Sequence, residues 1–274
     1  MIKPIMKKTI KLLINMLIIV IFFVPFYWMI LTAFKTLEET VQFPPSFWVS
    51  HPQWENFLVA LKAIPFMKFT INSVVVSISV MLLQFLTVIP AAYAFARLKF
   101  KGKSLLFGTV LSTMMVPSQL VFLPIYLMFS KWGLINNYLS LILPFATSAF
   151  GIFMLRQSFM QVPEEILEAA KLDKASEFKT LTRIMLPAAK PTLVMLGLFS
   201  WISTWNDYFW PLVITTNDAV RTLPIGISSL RMVESGVTYH IVMAGNVLLI
   251  IPIIIVFLIA QKQIIRAFTY TGEK

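Results

Sequence analysis

Apolar residues dominate six stretches of the chain, at 12–34, 70–96, 104–129, 139–155, 191–214 and 241–261, and the charges collect in the segments between them. Each stretch approaches or exceeds the ~20 residues with which an α-helix crosses the hydrocarbon core of a bilayer. Lipid offers backbone groups no hydrogen-bond partner, so segments of this composition must be helical. The stretch 139–155 is the shortest. The pattern predicts an all-α polytopic membrane protein with six transmembrane helices, one N-terminal span followed by a core of five.

One connection stands out. Residues 156–190, RQSFMQVPEEILEAAKLDKASEFKTLTRIMLPAAK, form a long polar segment flanked on both sides by membrane-length apolar runs. Pro163 stands where a first helical residue sacrifices no hydrogen bond, and Glu164 and Glu165 suit the positive end of a helix dipole. Ile166, Ala169, Ala170 and Asp173 then recur at i, i+3, i+4 and i+7, one face of a short helix. The small alanines would let that face approach a partner closely, and Glu168 could supply a salt bridge or a cap. A second helical stretch, 176–186, carries Phe178, Leu181, Ile184 and Met185 and is closed by Pro187. By pattern alone, the segment is either a docking surface or an amphipathic hairpin at the membrane interface.

Composition strengthens the membrane reading. Of 274 residues, 58% are hydrophobic and only 13% charged, with a mean hydropathy of +0.81; a soluble domain carries about twice that charged share. With the N-terminus inside, 17 Lys and Arg fall on inner segments and six outside, while acidic residues split six and six. The positive-inside rule therefore places both termini in the cytoplasm. The formal net charge of +11 belongs to topology and anionic lipid, and no nucleic-acid partner is implied. The first apolar run is too long for a secretory signal, and Phe34-Lys35-Thr36 offers no small-x-small cleavage site, so it is expected to remain as an uncleaved span. Beyond it, Pro44, Pro45, Trp48, Trp54 and Phe57 point to a loop along the outer interface, because prolines end helices and tryptophans favour the headgroup level. The resulting division is an N-terminal anchor with its outer loop (1–69), a core (70–262) containing the loop 156–190, and a cytoplasmic tail (263–274).

Chemistry-bearing groups are sparse. The chain has no cysteine and two distant histidines, His51 and His240, neither in a metal-ligand pattern. Gly102-Lys103-Ser104 resembles the end of a phosphate-binding loop, but Arg97 occupies the position of the required first glycine and no strand precedes it. Polar residues within spans usually face a bundle interior or a cavity, which makes Asn72, Gln84, Gln119, Asn206, Asp207 and Asn246 candidates for a solute path. Asp207 sits among Trp205, Tyr208 and Trp210, a set that suits sugar binding and equally suits an aromatic belt with a locally capping carboxylate.

The spacing from Glu168-Ala169-Ala170 through position 174 to Ile184-x-Leu186-Pro187 resembles the EAA loop of ABC-importer permeases. Ile64-Pro65-Phe66 with Asn72-Ser73, the run Ala91–Arg97, Met115-Val116-Pro117, Arg156-Gln157, Trp205–Leu212 and Thr222–Gly226 look like the carbohydrate-uptake branch, similar to the second membrane component of maltose-type importers. The resemblance implies a type I importer permease fold in the cell membrane. It also implies a second homologous permease subunit, two ATP-binding subunits and an extracellular solute-binding protein. ATP and Mg would be used by the ATPase subunits, with no cofactor bound by this chain and no enzymatic role for it. Glu165, Glu168, Ala169, Ala170, Asp173, Lys174, Ile184, Leu186 and Pro187 would couple to the ATPase, and a sugar would cross by alternating access. One position departs from the pattern: Lys174 stands where the motif expects glycine, so either Lys174 adopts the left-handed conformation or the helix ends differently. A permease for another solute such as a glycerol phosphate, or a stand-alone secondary transporter, are the alternatives. Against the latter stand the absence of a visible inverted repeat and the near-absence of intramembrane charge.

Overall fold

Every regular element among the described residues of the computed structural model, 4–231 and 238–269, is helical. In chain order these are α1 (Pro4–Ala33), α2 (Leu37–Val41), α3 (Glu55–Ala63), α4 (Phe66–Arg97), α5 (Lys103–Thr113), α6 (Ser118–Lys131) and α7 (Tyr138–Ile142). A tight turn at Leu143–Phe145 leads to α8 (Ala149–Met160), α9 (Glu164–Leu172) and α10 (Glu177–Thr180). A wide turn at Leu181–Met185 is followed by α11 (Leu186–Ala188), α12 (Lys190–Trp205), α13 (Phe209–Ile214), α14 (Leu223–Ser229) and α15 (Tyr239–Thr269).

Three of these helices, α1, α4 and α15, are each long and apolar enough to cross a bilayer. Three further helix pairs are bent: α5 meets α6 at 95°, Tyr138–Phe145 meets α8 at 44°, and Glu177–Ala188, within the predicted loop 156–190, meets α12 at 81°. Six spans are reached when each bent pair counts as one. The stretch 104–129 is therefore not one helix. It breaks ahead of Pro117, whose ψ of 130° is extended, because a proline drives the residue before it out of the helical region. The stretch 191–214 is interrupted as well: α12 stops at Trp205, and α13 resumes at Phe209. With 16 residues, α12 is roughly 24 Å long, short of the ~30 Å hydrocarbon core.

The fold divides into two compact units that do not follow the chain order. One takes in the chain up to Lys68 together with Ile225–Ile251, and the other comprises Phe69–Pro224 with the chain from Pro252 onward. The second unit carries the loop 156–190 and is built around α4.

Broken helices and irregular connections free main-chain groups that lipid cannot satisfy, and in this unit α4 satisfies several of them. At the break between α7 and α8, near Pro144, the Gln84 amide donates to the Phe145 carbonyl at 3.0 Å and the Thr87 hydroxyl to the Ala146 carbonyl at 2.8 Å. At the N-terminal end of α4, the buried Asn72 amide donates to the carbonyls of Ala219 and Arg221, at 3.2 and 2.8 Å, and accepts from the Tyr138 hydroxyl at 2.6 Å. The neighbouring Ser73 hydroxyl accepts the Leu223 N–H at 2.8 Å. Around these bonds lies one apolar cluster, Val76, Val80, Phe129, Leu141, Trp210 and Ile214 among others, with the Trp210 indole donating to the Ser140 carbonyl at 2.7 Å.

A second cluster, toward the C-terminal end of α4, joins Val88, Ala92 and Tyr93 to Leu155, Phe159, Leu167, Met185 and Leu196. Helix α8 runs close here. A Cβ on Gly151 would lie 2.8 Å from Leu196 Cδ1 and 3.3 Å from Val88 Cγ1.

Asn72→Leu is expected to strand the Ala219 and Arg221 carbonyls and the Tyr138 hydroxyl. At about 1–3 kcal/mol for each buried unsatisfied group, the detergent-solubilised protein should show a clearly lower thermal midpoint, whereas Asn246→Leu should change it much less, since that amide donates only within its own helix, to the Val242 carbonyl.

Candidate functional site

The loop 156–190 is folded as two helical pieces joined by a sharp reversal. Pro163 is the cap residue of α9, one position earlier than the pattern placed it, and the exposed Glu164 and Glu165 occupy the first turn. Only Leu167 and Ala170 of α9 are buried, and Leu167 enters the second apolar cluster. Ile166, Ala169 and Asp173, expected to share a face with Ala170, point outward with Glu165, Glu168 and Leu172. The correction has a simple cause. At 100° per residue Ala170 stands at the edge of that face nearest Leu167, about 60° from it, and so falls on the side that packs, while the other three positions stay on the outward side.

The reversal settles what happens at Lys174. Its φ is +50°, in the left-handed region. The Lys174 N–H donates to the Lys171 carbonyl at 2.9 Å, and the Ala175 N–H reaches the Ala170 carbonyl at 2.9 Å. This is a complete Schellman closure of α9 with a lysine in the position glycine usually holds. The conformation costs a residue with a side chain about 1 kcal/mol, and two otherwise orphaned carbonyls are satisfied in exchange.

Beyond it, the Ser176 hydroxyl accepts the Lys179 N–H and caps α10. The helix does not stop at Pro187 as expected. It widens over Leu181–Met185, with the Leu186 N–H donating to the Leu181 carbonyl five residues back, and continues to Ala188. A proline cannot donate to the carbonyl four residues earlier, here that of Arg183, and a wide turn accommodates its ring. Ile184 and Leu186 are half-buried there, while Met185 is in the core and Pro187 is exposed.

Both pieces are tied to the last turn of α4 by two residues one helical turn apart. One Arg97 Nη donates to the Phe159 carbonyl at 2.6 Å and to the Val162 carbonyl, and the other pairs with Glu164 at 3.3 Å. The guanidinium thus closes the C-terminal end of α8 and holds the first turn of α9, as a cation at a helix C-terminus should. The Tyr93 hydroxyl donates to the Glu177 carboxylate at the start of α10. Nearby, Arg156 Nε donates to the Phe95 carbonyl at 3.0 Å while its guanidinium lies over the Phe107 ring at 4.3 Å. Lys103 Nζ donates to the Leu98 carbonyl at 2.9 Å. Tyr93 and Arg97 entered the sequence reading only within the run Ala91–Arg97, with no contact assigned to them, and Glu177 was not singled out. The legible signal was an arginine and a tyrosine at i and i+4 at the inner end of an apolar span.

The candidate path residues of the larger unit are engaged separately. Asn72 and Gln84 use their amide groups on the main chain, as described above. Gln119 is exposed in the first turn of α6, and Asn206 is exposed at the end of α12, donating to the Ile202 carbonyl at 3.0 Å. Asp207 accepts the Trp210 N–H at 3.3 Å and so caps α13. Asn246 lies in the other compact unit.

Residues 86–270, more than half of the chain, match the family described as binding-protein-dependent transport system inner membrane component. The chain belongs to this family. Among its relatives, the arabinooligosaccharides transport system permease protein AraQ of Halalkalibacterium halodurans is 34% identical over 203 residues, 74% of this chain and 72% of that protein. The trehalose/maltose transport system permease protein MalG of Thermococcus litoralis is 31% identical and is covered over 97% of both chains. The fold is shared with a chain of a bacterial ABC transporter involved in the import of the acidic polysaccharide alginate, at a TM-score of 0.80 and 22% identity over 94% of this chain and 96% of that one. As an inner membrane component of this family, the protein is a multi-pass membrane permease.

Two outcomes follow for the permease loop. Lys174→Gly should preserve the fold and relieve about 1 kcal/mol of backbone strain, slowing amide exchange at Ala175 about fivefold. Arg97→Met should strand the Phe159 and Val162 carbonyls at about 1–3 kcal/mol each and speed trypsin cleavage after Lys171 and Lys174, measured by mass spectrometry of timed digests. Arg97→Lys should be intermediate, because an ammonium lacks the planar fork that reaches both elements.

Proposed function

We propose that this permease is one membrane half of an ATP-driven ABC importer for a sugar or oligosaccharide, working with a second homologous permease, two ATP-binding subunits and an extracellular binding protein. The names of AraQ and MalG support the solute class. The observation that carries the coupling role is the two-sided character of α9. Its inner side is held by Leu167, Ala170 and the Arg97–Glu164 pair, and its outer side presents Glu165, Ile166, Glu168, Ala169 and Leu172 to a partner. Two carboxylates beside small and apolar groups suit a cleft that is basic at its rim and apolar at its floor.

In this reading the loop and both termini lie in the cytoplasm. ATP and Mg are bound by the ATPase subunits, and this chain performs no chemistry itself. Closure of the ATPase pair moves α9, and the ties to Tyr93 and Arg97 carry that displacement into α4, so that the spans exchange inward-open and outward-open arrangements. Gln119, Asn206 and Asp207, at the interruptions of the bent spans, are the polar residues placed to meet solute, with Asn72 and Gln84 acting as supports for the main chain.

The test is co-purification and reconstituted activity. The tagged permease should bring down an ATP-binding subunit. Glu168→Lys should lower binding-protein-stimulated ATPase activity by more than about tenfold, since reversing a charge in a docked contact costs several kcal/mol, while leaving expression and the Arg97–Glu164 tie intact. Sugar flux through liposomes containing this chain alone, or undiminished stimulation in Glu168→Lys, would overturn the proposal.

A further inference from the structure

The segment between α1 and α3 is built to lie in a membrane surface. It does not continue upward from the end of α1. Instead it turns back along that helix and is fastened there at three points. Lys35, only 1% exposed, donates from Nζ to the Ser46 carbonyl at 2.7 Å and lies over the Trp28 ring at 4.6 Å. The Tyr27 hydroxyl donates to the Phe47 carbonyl at 2.6 Å, and the Phe47 and Trp28 rings meet edge-on at 5.6 Å. At the base, the Asn56 amide donates to the carbonyls of Ala33 and Lys35, both at 2.9 Å, closing the end of α1.

Tyr27 and Trp28 precede the end of α1 by five or six residues, so Ser46 and Phe47 sit roughly 8–9 Å below that end. This is below the top of a span whose side chains from Met16 to Phe26 face outward with apolar groups. The strap itself has no Lys, Arg, Asp or Glu between positions 40 and 54. Its outward groups are large and apolar: Phe43 is 93% exposed, Trp48 80%, Trp54 70% and Phe47 68%. Phe43 and Trp48, with most of their surface away from the protein, on an uncharged strap continuous with a helix that is exposed along its apolar length, match the headgroup and upper acyl region of a bilayer.

We infer that residues 40–54 form an interfacial foot that inserts Phe43, Phe47 and Trp48 into the lipid surface at the C-terminal end of α1, with Lys35 as the buried clasp that holds the foot down. Lys35 is suited to this work. Its charge is satisfied by a carbonyl and an indole face, so it can be enclosed without a carboxylate, and its long stem reaches from one side of the turn to the other. The foot fixes the depth of α1 independently of any solute or nucleotide event.

The experiment uses the full-length chain in its assembled complex, reconstituted into phosphatidylcholine/phosphatidylglycerol vesicles. Trp48 fluorescence is isolated as the difference between the wild type and Trp48→Phe. Phosphatidylcholine brominated near the ester end of its acyl chains should quench that component about twofold or more, brominated lipid with the label near the terminal methyl less, and aqueous acrylamide least. Lys35→Met should release the strap, lowering lipid quenching of Trp48 and raising acrylamide quenching about twofold. Trp48 quenched by acrylamide and not by lipid would overturn the inference, as would shielding that appears only when the binding protein is added, which would make the strap a protein-docking surface. Unchanged quenching in Lys35→Met would remove the clasp from the account, and if that variant does not assemble, the wild-type difference measurement still decides the position of the foot.

Discussion

A bilayer supplies no hydrogen bonds to a main chain, and this constraint accounts for the construction of the larger unit. Three of its predicted spans are bent or broken near prolines, and every break frees carbonyls that would cost about 1–3 kcal/mol apiece if left alone. A single unbroken helix, α4, answers the break between α7 and α8 and several irregular connections besides. Asn72 reaches the Ala219 and Arg221 carbonyls, Gln84 and Thr87 reach those of Phe145 and Ala146, and Arg97 reaches those of Phe159 and Val162. The polar side chains of α4 thus support its neighbours where their main chains are irregular at 145–146, 159–162 and 219–221. Intramembrane polarity, often a mark of a solute path, serves the backbone at Asn72 and Gln84.

The same helix carries the loop that distinguishes this permease from a simple bundle. Tyr93 and Arg97 hold Glu177 and Glu164, one on each side of the reversal at Lys174. A displacement of the loop is therefore resisted by hydrogen bonds and packing into the second apolar cluster, rather than dissipated in a slack tether. The left-handed lysine belongs to this rigidity. It completes two hydrogen bonds and turns the chain within two residues, so that α10 starts back toward α4. Among the described residues, the opposite, outward side of α9 has no such ties.

How much of this was legible beforehand varies with the range of the interaction. The helical class and the six apolar runs followed from period and composition, because burial in lipid demands long apolar stretches. The outward face of α9 was only partly legible: Ile166, Ala169 and Asp173 do share it, but Ala170 turns inward beside Leu167. The interruptions at Pro117 and at Asn206–Tyr208 were missed, since hydropathy averages over a proline that geometry cannot ignore.

What the sequence determined alone is what depends on near neighbours along the chain: helicity, the acidic first turn of α9 and the motifs that mark the family to which the chain belongs. The tertiary structure alone decided the partners of the polar groups. Asn72, Gln84, Arg97 and Lys35 read as possible path, belt or topology residues until carbonyls 11 to 149 positions away are brought beside them. A donor's role is set by which acceptor lies within 3 Å of it, and that distance is a property of packed helices, not of the order of residues along one of them.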